Sequence, residues 1–420
     1  MNQIAKEWQD YEVIDTGNKE KLEVAYHYGA DAVYIGGALF NLRHQSKNTT
    51  LEELSDCVKL SRSLNKKIYL TLNAFLHEYD KGKLKDYLKA ISNIGIDAFI
   101  VSDLGILELI KEIIPSANIH ISTQASVTNS YSCRAYESLG ASRIILAREL
   151  SLDEIKEIRD NTDLELETFV HGAVCMAYSG RCLLSNYMNG RDANGGDCSQ
   201  VCRWNFKTYI EEKTRPGEFM ELEEGENHSA ILSSKDLQMA EYLNLLSKAG
   251  IDSIKIEGRM KSVYYVANVV RVYRVLLDLL NRVGYEEYPE AIKKEPIASY
   301  IKELSTISRR ESDTGFYFSR EDIKPALKGY LKGRRLMGMI VGQEKEYSKI
   351  NVYNTINKGD SLIYIGRDFL NYKDDRFSLY IKNEEGDFFE VDIIKNIDNA
   401  YIKSSVHNFS KYDIITAEEE

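Results

Sequence analysis

The sequence predicts a (β/α)8 TIM-like barrel that carries a cysteine-rich loop and is followed by a small all-β domain, either a barrel or a sandwich. Three observations support this prediction. Units of helix, glycine and apolar strand recur in the first 260 residues, short alternating apolar runs follow residue 336, and four of the six cysteines fall within residues 171–204.

The repeated units are marked by four glycines, each following a helix-like pattern and preceding an apolar run: Gly29, Gly95, Gly140 and Gly250. Glycine closes helices in the left-handed conformation, and continuous apolar runs are typical of buried parallel strands. The other four candidate strands are Tyr11–Ile14, Lys67–Leu72, Asn118–Ser122 and Leu164–Val170. Eight such strands favour the barrel. An open doubly wound sheet is the alternative, although no G-x-G-x-x-G motif follows a strand.

The domain boundaries follow from changes in pattern. We predict a barrel over residues 1–285, a linker over 286–335 and a β domain over 336–420. Within the first unit, Glu211–Asn227 is expected to form a solvated hairpin or loop. Ser234 is expected to cap a helix that starts there. An apolar stripe from Val263 to Leu280 predicts a long helix packed on the barrel.

The predicted linker ends in a run of basic residues. The basic residues are Lys324, Lys328, Lys332, Arg334 and Arg335. They form a solvated face or, alternatively, a contact for RNA or phosphate.

The predicted strands of the β domain are Met337–Val341, Lys349–Tyr353, Asp360–Ile365, Phe377–Ile381, Phe388–Ile394 and Ile402–Val406. Period-two alternation between turn residues is typical of small antiparallel barrels and sandwiches.

Composition restricts the class of protein. A net charge of −11 argues against non-specific binding of nucleic acid over the whole surface. The N-terminus lacks the pattern of a signal peptide, and no apolar stretch is as long as a membrane span. We therefore expect a soluble cytoplasmic protein without membrane contact. In a reducing compartment, six cysteines favour metal ligation over disulfides.

Four cysteines form the candidate metal centre, with the spacing C-x6-C-x15-C-x3-C: Cys175, Cys182, Cys198 and Cys202. Thiolates suit zinc or an iron–sulfur cluster. Only the second pair has the close spacing usual for structural zinc, and a cubane cluster tolerates scattered ligands better. Ordinary buried or disulfide-linked thiols are the third alternative. Cys57 and Cys133 lie on helical patterns and are expected to be buried apolar residues.

The cysteine-rich stretch resembles the signature of the collagenase-like peptidase family, number thirty-two of the unknown-mechanism class. The matching segments are His171–Cys175, Cys182, Arg191–Asp192, Cys198, Cys202–Trp204, Thr16–Asn18, Gly29–Tyr34 and Ile256–Lys261. The family usually has Pro-Ala-Gly near its start, where this chain has Asp15-Thr16-Gly17. The resemblance extends over nearly the whole chain.

Within that family, the length and the C-terminal β domain are most similar to the prephenate-dependent tRNA wobble-uridine hydroxylation proteins. The resemblance implies a [4Fe-4S] cluster on the four signature cysteines, with zinc as the alternative. It also implies oxygen-independent formation of 5-hydroxyuridine in tRNA, with prephenate as co-substrate. Some relatives work as pairs of unequal paralogues, so a partner subunit is a further expectation.

The candidate site residues flank the cysteines or follow barrel strands. His171, Glu257 and Arg259 are the candidate catalytic residues, whereas Gln124, Tyr178, Arg181 and Arg191 are the candidates for substrate binding. A histidine can transfer protons, and arginines hold carboxylates through paired hydrogen bonds. A structural hydrogen bond at His171, an ion pair between Glu257 and Arg259, and surface exposure of the arginines remain the alternatives.

Two other functions stay open. The first is a collagenase-like peptidase, although the sequence has neither a G-x-S-x-G elbow nor an H-E-x-x-H helix. A Cys175–His171 nucleophile pair would also remove a ligand from the metal site. The second is a non-catalytic subunit of an RNA-modifying complex.

Overall fold

The structure is a computed structural model of the 420-residue chain. It describes residues 12–15, 18–37, 39–41, 49–175, 177–178, 180–204, 209–211, 214, 216–217, 219–221, 234–319, 331–395, 397–404 and 409–419. The described chain consists of a mixed α/β unit followed by an antiparallel β domain. No helix in these ranges combines the length and apolar character needed to cross a bilayer.

Strands and helices alternate through the α/β unit, as the glycine repeat predicts. The strands are β1 (Glu12–Asp15), β2 (Ala32–Gly36), β3 (Lys67–Leu72), β4 (Ala98–Val101), β5 (Ile119–Ile121), β6 (Arg143–Ile145), β7 (Glu165–Ala173), β8 (Tyr209–Glu211), β9 (Phe219–Glu221), β10 (Asp236–Gln238), β11 (Ser253–Ile256) and β12 (Ser312–Asp313). The helices are α1 (Lys19–Tyr28), α2 (Leu51–Ser63), α3 (Lys81–Ile91), α4 (Leu104–Ile113), α5 (Ser130–Ser138), α6 (Leu152–Arg159), α7 (Leu184–Asn189), α8 (Leu243–Lys248), α9 (Val263–Ala291) and α10 (Ile297–Glu303). Short 3-10 turns occur at Glu78–Asp80, Thr123–Ala125, Val201–Arg203 and Ala240–Tyr242.

The parallel strands pair in chain order from β1 to β7. Strand β11 then pairs in parallel with both β7 and β1, so the pairings return to their starting point. The four repeat glycines all have positive φ, between 85° and 117°, and each lies three residues before the start of a strand. Gly29, Gly140 and Gly250 close α1, α5 and α8 in this conformation, as the sequence predicts. Gly95 does not close a helix, because α3 ends at Ile91 with Ser92 as its C-cap, and Gly95 lies in the connection to β4.

The seventh strand is longer than predicted. It continues through His171 and Gly172 to Ala173, rather than ending at Val170. Its last three residues pair antiparallel with β10, where Gln238 lies opposite His171 and Asp236 lies opposite Ala173. Strand β10 explains why β7 extends to Ala173, because it supplies hydrogen-bond partners for the backbone groups of β7 that lie beyond its parallel pairing.

The predicted helix start at Ser234 is wrong. Residues 236–238 form β10, and the following 3-10 turn and α8 begin only at Ala240 and Leu243. Instead of capping a helix, the Ser234 hydroxyl donates to the carbonyl of Val174, with an O–O distance of 2.7 Å. Residues 236–238 form a strand because hydrogen bonds to the edge of the sheet stabilise it more than the local preference of serine for a helix N-cap stabilises a helix.

The long predicted helix is confirmed as α9. Its apolar stripe is buried against the α/β unit from Val263 to Leu280, and the Ser262 side chain caps its first turn. Gly284 interrupts the helix with φ of 77° and ψ of 178°. The segment predicted as a hairpin or loop contains the antiparallel pair β8–β9, and residues 222–233 lie outside the described residues.

The C-terminal domain is an eight-stranded antiparallel sheet with a separate two-stranded pair. Its strands are β13 (Arg335–Glu344), β14 (Tyr347–Val352), β15 (Ile356–Asn357), β16 (Leu362–Ile365), β17 (Tyr372–Asp374), β18 (Ser378–Lys382), β19 (Phe388–Val391), β20 (Ile393–Ile394), β21 (Ala400–Lys403) and β22 (Ile414–Ala417). The sequence reading missed β15, β17 and β22. Residues 405 and 406 of the predicted sixth strand lie outside the described residues. A core of its own forms around Ile340, Leu379 and Ile402.

Polar contacts join the two parts of the chain. The buried Arg271 of α9 donates to the carbonyls of Gly366 and Leu370, and Tyr28 donates to the carbonyl of Ile365. The segment predicted as a linker contains α10 and β12, and β12 pairs with β10 at the edge of the α/β sheet.

Two residues of the predicted basic run form ion pairs within the protein. Arg334 pairs with Glu303 and Glu418, and Lys332 pairs with Glu419. Arg335 is exposed at the start of β13, whereas Lys324 and Lys328 lie outside the described residues. The charges on Lys332 and Arg334 are therefore partly offset by carboxylates before any anion binds.

Candidate metal centre

A cavity of about 640 Å³ lies at the carboxyl ends of the parallel strands. Its inner wall includes Tyr34 of β2, Phe169 of β7 and Lys255 of β11, and its outer wall comes from the cysteine-rich loop. Ligands of parallel α/β folds bind at this end of the strands, where the following loops converge. The cavity is therefore the candidate functional site.

All four candidate metal ligands line this cavity: Cys175, Cys182, Cys198 and Cys202. Burial raises the pKa of the Cys202 thiol, and the charges of the other three cysteines raise it further, while Arg203 lowers it. Within the described ranges, no three Cys, His, Asp or Glu side chains are arranged to hold a single metal ion. Cys57 and Cys133 are fully buried, as predicted.

An ion pair fastens the end of the cysteine-rich loop to the α/β unit. Arg203 donates to Asp236 at 3.0 Å and to the carbonyl of Val174 at 3.3 Å. Asp236 also accepts a hydrogen bond from the backbone of Arg310. Although burial would raise the pKa of the Asp236 carboxyl, Lys261 and Arg203 outweigh it and lower that pKa. Asp236 therefore carries a negative charge in the folded protein.

Two glycines allow the loop to approach the strands closely. Gly172 has φ of 105°, and a Cβ there would lie 2.7 Å from the carbonyl oxygen of Glu257 and 3.0 Å from the Tyr265 hydroxyl. Gly180 has φ of 78°, and a Cβ there would lie 2.2 Å from the carbonyl oxygen of Gln124. Side chains at either position would displace the backbone that lines the cavity.

His171 does not line the cavity. Its ring is buried, packs edge-on against Tyr273 and lies 3.3 Å, measured from Nδ1, from the Tyr273 hydroxyl. Burial lowers the pKa of His171 to about 3; Asp236 opposes this shift, and Lys261 and Arg309 add to it. The imidazole is thus neutral at physiological pH, and its catalytic role stays a prediction.

The other candidate residues divide into two groups. Gln124, Tyr178, Arg181, Glu257 and Arg259 all line the cavity. By contrast, Arg191 lies outside the cavity lining and holds Asp197 through Nε and Nη2, at 3.0 and 2.6 Å. Five candidate catalytic or substrate-binding residues therefore line one cavity, whereas Arg191 forms an ion pair within the cysteine-rich loop.

Arg259 is held rigidly at the cavity wall. Its Nη2 donates to Asn41 at 2.7 Å, and its carbonyl accepts from Lys21 at 3.0 Å. The guanidinium lies directly against Gly36, where a Cβ would meet Nη2 at 1.8 Å. Glu257 follows β11, and its backbone N–H donates to the carbonyl of His171 at 3.0 Å.

Two further cations line the cavity: Arg148, which the sequence places at the end of a predicted strand, and Lys255, which sequence reasoning does not select. Lys255 is buried, 3.4 Å from Glu167, and its Nζ lies 3.7 Å from the centre of the Tyr34 ring. The Nη2 of Arg148 lies 3.8 Å from Cys175 Sγ. A lysine within an otherwise uncharged strand is the signal that points to Lys255, because a charged side chain is rarely buried unless it has a partner.

The lining of the cavity is cationic although the chain is acidic. Its described charged residues are one carboxylate, Glu257, and five cations: Arg148, Arg181, Arg203, Lys255 and Arg259. The charges of Arg203 and Lys255 are partly offset by Asp236 and Glu167 behind the lining. Four thiolates around an iron–sulfur core form an anionic group. The sulfur donors and the surrounding cations therefore suit such a cluster and an anionic ligand beside it.

The chain belongs to peptidase family U32. The sequence profile described as "Peptidase family U32" matches residues 17–326, which is most of the chain. This match confirms the family resemblance of the cysteine-rich signature.

Three relatives have names that bear on function. The chain is 37% identical over 363 residues to tRNA hydroxylation protein P1 of Bacillus subtilis, covering 85% of this chain and 83% of that one. It is 33% identical over 294 residues to tRNA hydroxylation protein P2 of the same organism, covering 69% and 91% of the two chains. It is also 40% identical over 359 residues to an uncharacterized protease of Methanocaldococcus jannaschii, covering 82% and 84%.

Proposed function

We propose that this protein hydroxylates RNA, and specifically converts the wobble uridine of tRNA to 5-hydroxyuridine without molecular oxygen. One observation supports this above the others: the four signature cysteines share one cationic cavity at the strand ends with Gln124, Glu257 and Arg259. The names of the two B. subtilis relatives support the choice of tRNA as substrate.

A TIM-like barrel is the proposed scaffold. The parallel pairings that run from β1 through β7 and β11 back to β1 support it. This scaffold brings the ends of separate strands to one cavity, so residues far apart in sequence can act on one substrate.

A [4Fe-4S] cluster is the proposed cofactor, held by Cys175, Cys182, Cys198 and Cys202. When bound, such a cluster supplies one-electron redox chemistry or, if one iron is left open, a Lewis acid. The residues of this chain would hold it and screen its charge, since the Arg148 guanidinium lies beside Cys175. Zinc on the same sulfurs remains the alternative.

Prephenate is the proposed hydroxyl donor. It carries two carboxylates, which arginine and lysine side chains bind well. Arg181 and Arg259 at the cavity wall are suitable partners, with Glu257 beside them to orient a hydroxyl group. A paralogous partner subunit is also proposed, and the presence of proteins named P1 and P2 in one organism supports it.

Peptidase activity is the second candidate, because the family name and the M. jannaschii relative point to it. The nucleophile that the sequence offers for it is Cys175, with His171 as base. In the structure Cys175 lines the cavity whereas His171 does not, and the His171 ring contacts Tyr273. A general base must reach the proton that it removes, so this arrangement favours RNA hydroxylation.

The deciding experiment is mass spectrometry of tRNA nucleosides from cells that lack this gene and its paralogues. We expect 5-hydroxyuridine to disappear and to return with the wild-type gene. A Cys198→Ser copy should not restore it, whereas a Cys133→Ser copy should, because Cys133 is buried away from the cavity. Unchanged wobble modification in the deletion strain would overturn the proposal.

A further inference from the structure

Two large apolar side chains at the short helix α7 in the cysteine-rich loop are exposed to solvent. Leu183, the N-cap residue, and Tyr187, one turn further along, are 68% and 86% exposed. The polar Ser185 is instead 2% exposed, and its hydroxyl bonds to that of Ser199 at 2.7 Å. A surface helix normally buries its apolar side chains, and exposed apolar side chains that adjoin one another mark binding surfaces.

This apolar surface is continuous with the cavity. Leu183 and Tyr187 line the cavity mouth together with Tyr178, which is 49% exposed. We call these three residues the cavity rim. Arg181 lies between them in sequence, is exposed and also lines the cavity. The rim thus supplies two aromatic rings and one aliphatic side chain around a single opening, and Arg181 adds a cation beside them.

We propose that the cavity rim stacks against unpaired bases of an RNA loop while one extruded base enters the cavity. The inference rests on the proposed function, since it concerns how that substrate is held. Enzymes that modify a base must take it out of its stack. Single-stranded RNA is recognised largely by stacking on aromatic side chains.

Charge favours RNA over a protein as the occupant. The chain has a net charge of −11, yet the described lining of the cavity holds five cations and one carboxylate. Two of the cations, Arg203 and Lys255, already pair with Asp236 and Glu167, so Arg148, Arg181 and Arg259 supply most of the positive charge. Phosphates on either side of an extruded base would lie near these cations, and Arg181 is the one closest in sequence to the rim.

The test compares binding of two RNA probes to the full-length protein, without turnover. One probe is an anticodon stem-loop with uridine at the first anticodon position, and the other is a fully paired duplex of the same length. Tyr187→Ala should weaken binding of the stem-loop by about 5- to 100-fold, as expected for the loss of one stacking contact. Binding of the duplex should not change.

Two further variants make the comparison specific. Tyr187→Phe keeps the ring and should bind the stem-loop as the wild type does. Phe389→Ala removes an aromatic side chain that is 54% exposed on the C-terminal domain, and should also bind normally. Because Tyr187 is almost fully exposed, its truncation leaves no cavity in the core, and unchanged circular dichroism will confirm folding.

The outcomes separate this inference from the proposed reaction. Equal stem-loop affinities for Tyr187→Ala and Phe389→Ala would overturn the inference, even if the protein hydroxylates tRNA. So would release of a paralogous partner by Tyr187→Ala at unchanged RNA affinity, which would mark the rim as a protein interface. Weakened stem-loop binding together with intact 5-hydroxyuridine in the deletion strain would support the RNA surface and refute the reaction.

Discussion

Arg203 and Asp236 form an ion pair in which the side chains are only 6% and 4% exposed and Nη1 lies 3.0 Å from Oδ1. The arginine directly follows the candidate ligand Cys202, and the aspartate opens β10. The pair therefore couples the position of the cysteine-rich loop to the edge of the sheet.

Asp236→Ala should strongly destabilise the protein. The substitution leaves Arg203 buried without its carboxylate, which costs about 3–5 kcal/mol in comparable pairs. Unfolding in urea, followed by circular dichroism, measures this change. Arg191→Ala is the matched control, because its pair with Asp197 is partly exposed and should contribute less than about 1 kcal/mol. Similar losses in the two variants would contradict a special role for the buried pair.

His171→Asn should reduce the dependence of stability on pH. Burial lowers the pKa of His171 to about 3, so between that value and the ordinary value near 6.5 the unfolded chain binds a proton that the folded chain does not. Stability is thus fully present above about pH 6.5 and falls with acidification, by about 2 kcal/mol at pH 5 for this group.

The measurement is urea unfolding of wild type and variant at pH 7.5 and pH 5. We expect His171→Asn to lose less stability than the wild type between the two. His77→Asn, at an exposed histidine, should behave as the wild type does. The same acid sensitivity in His171→Asn would show that His171 is not a neutral buried group.

Replacing any one of the four cavity cysteines by serine should abolish cluster binding. A cluster held by thiolates loses a ligand, and visible charge-transfer absorption, iron and sulfide should all fall together after anaerobic purification. Cys57→Ala is the control, because this thiol is buried on α2. Stoichiometric zinc in place of iron in the wild type would instead support the zinc alternative.

Gly172→Ala and Gly190→Ala separate local crowding from backbone strain. Both glycines have positive φ, at 105° and 71°. A Cβ at Gly172 would press on Glu257 and Tyr265, whereas no atom of the described residues lies within 4 Å of a Cβ at Gly190. We expect Gly190→Ala to cost about 1–2 kcal/mol of stability from strain alone.

The same change at Gly172 should cost more and should also lower hydroxylation, because it displaces Glu257 at the cavity wall. Urea unfolding and nucleoside mass spectrometry of complemented cells provide the two measurements. Equal losses of stability in the two variants, together with normal tRNA modification, would show that the close contact between Gly172 and Glu257 affects neither stability nor hydroxylation.

The sequence by itself determined the parts of the fold that depend on local pattern. Gly29, Gly140 and Gly250 close helices because glycine adopts the left-handed backbone conformation without strain. The continuous apolar runs after them identify buried parallel strands. Spacing, residue type and family resemblance were enough to select four cysteines that line one cavity.

Tertiary structure decided everything that depends on a distant partner. Ser234 precedes a strand rather than a helix because β7 offers unpaired backbone groups at Gly172 and Ala173. Arg191 faces Asp197 rather than the cavity, while Lys255 reaches the cavity through a strand that looks merely buried. Side-chain direction, burial and charge pairing depend on neighbours far apart in sequence, and these neighbours meet only once the strands have paired.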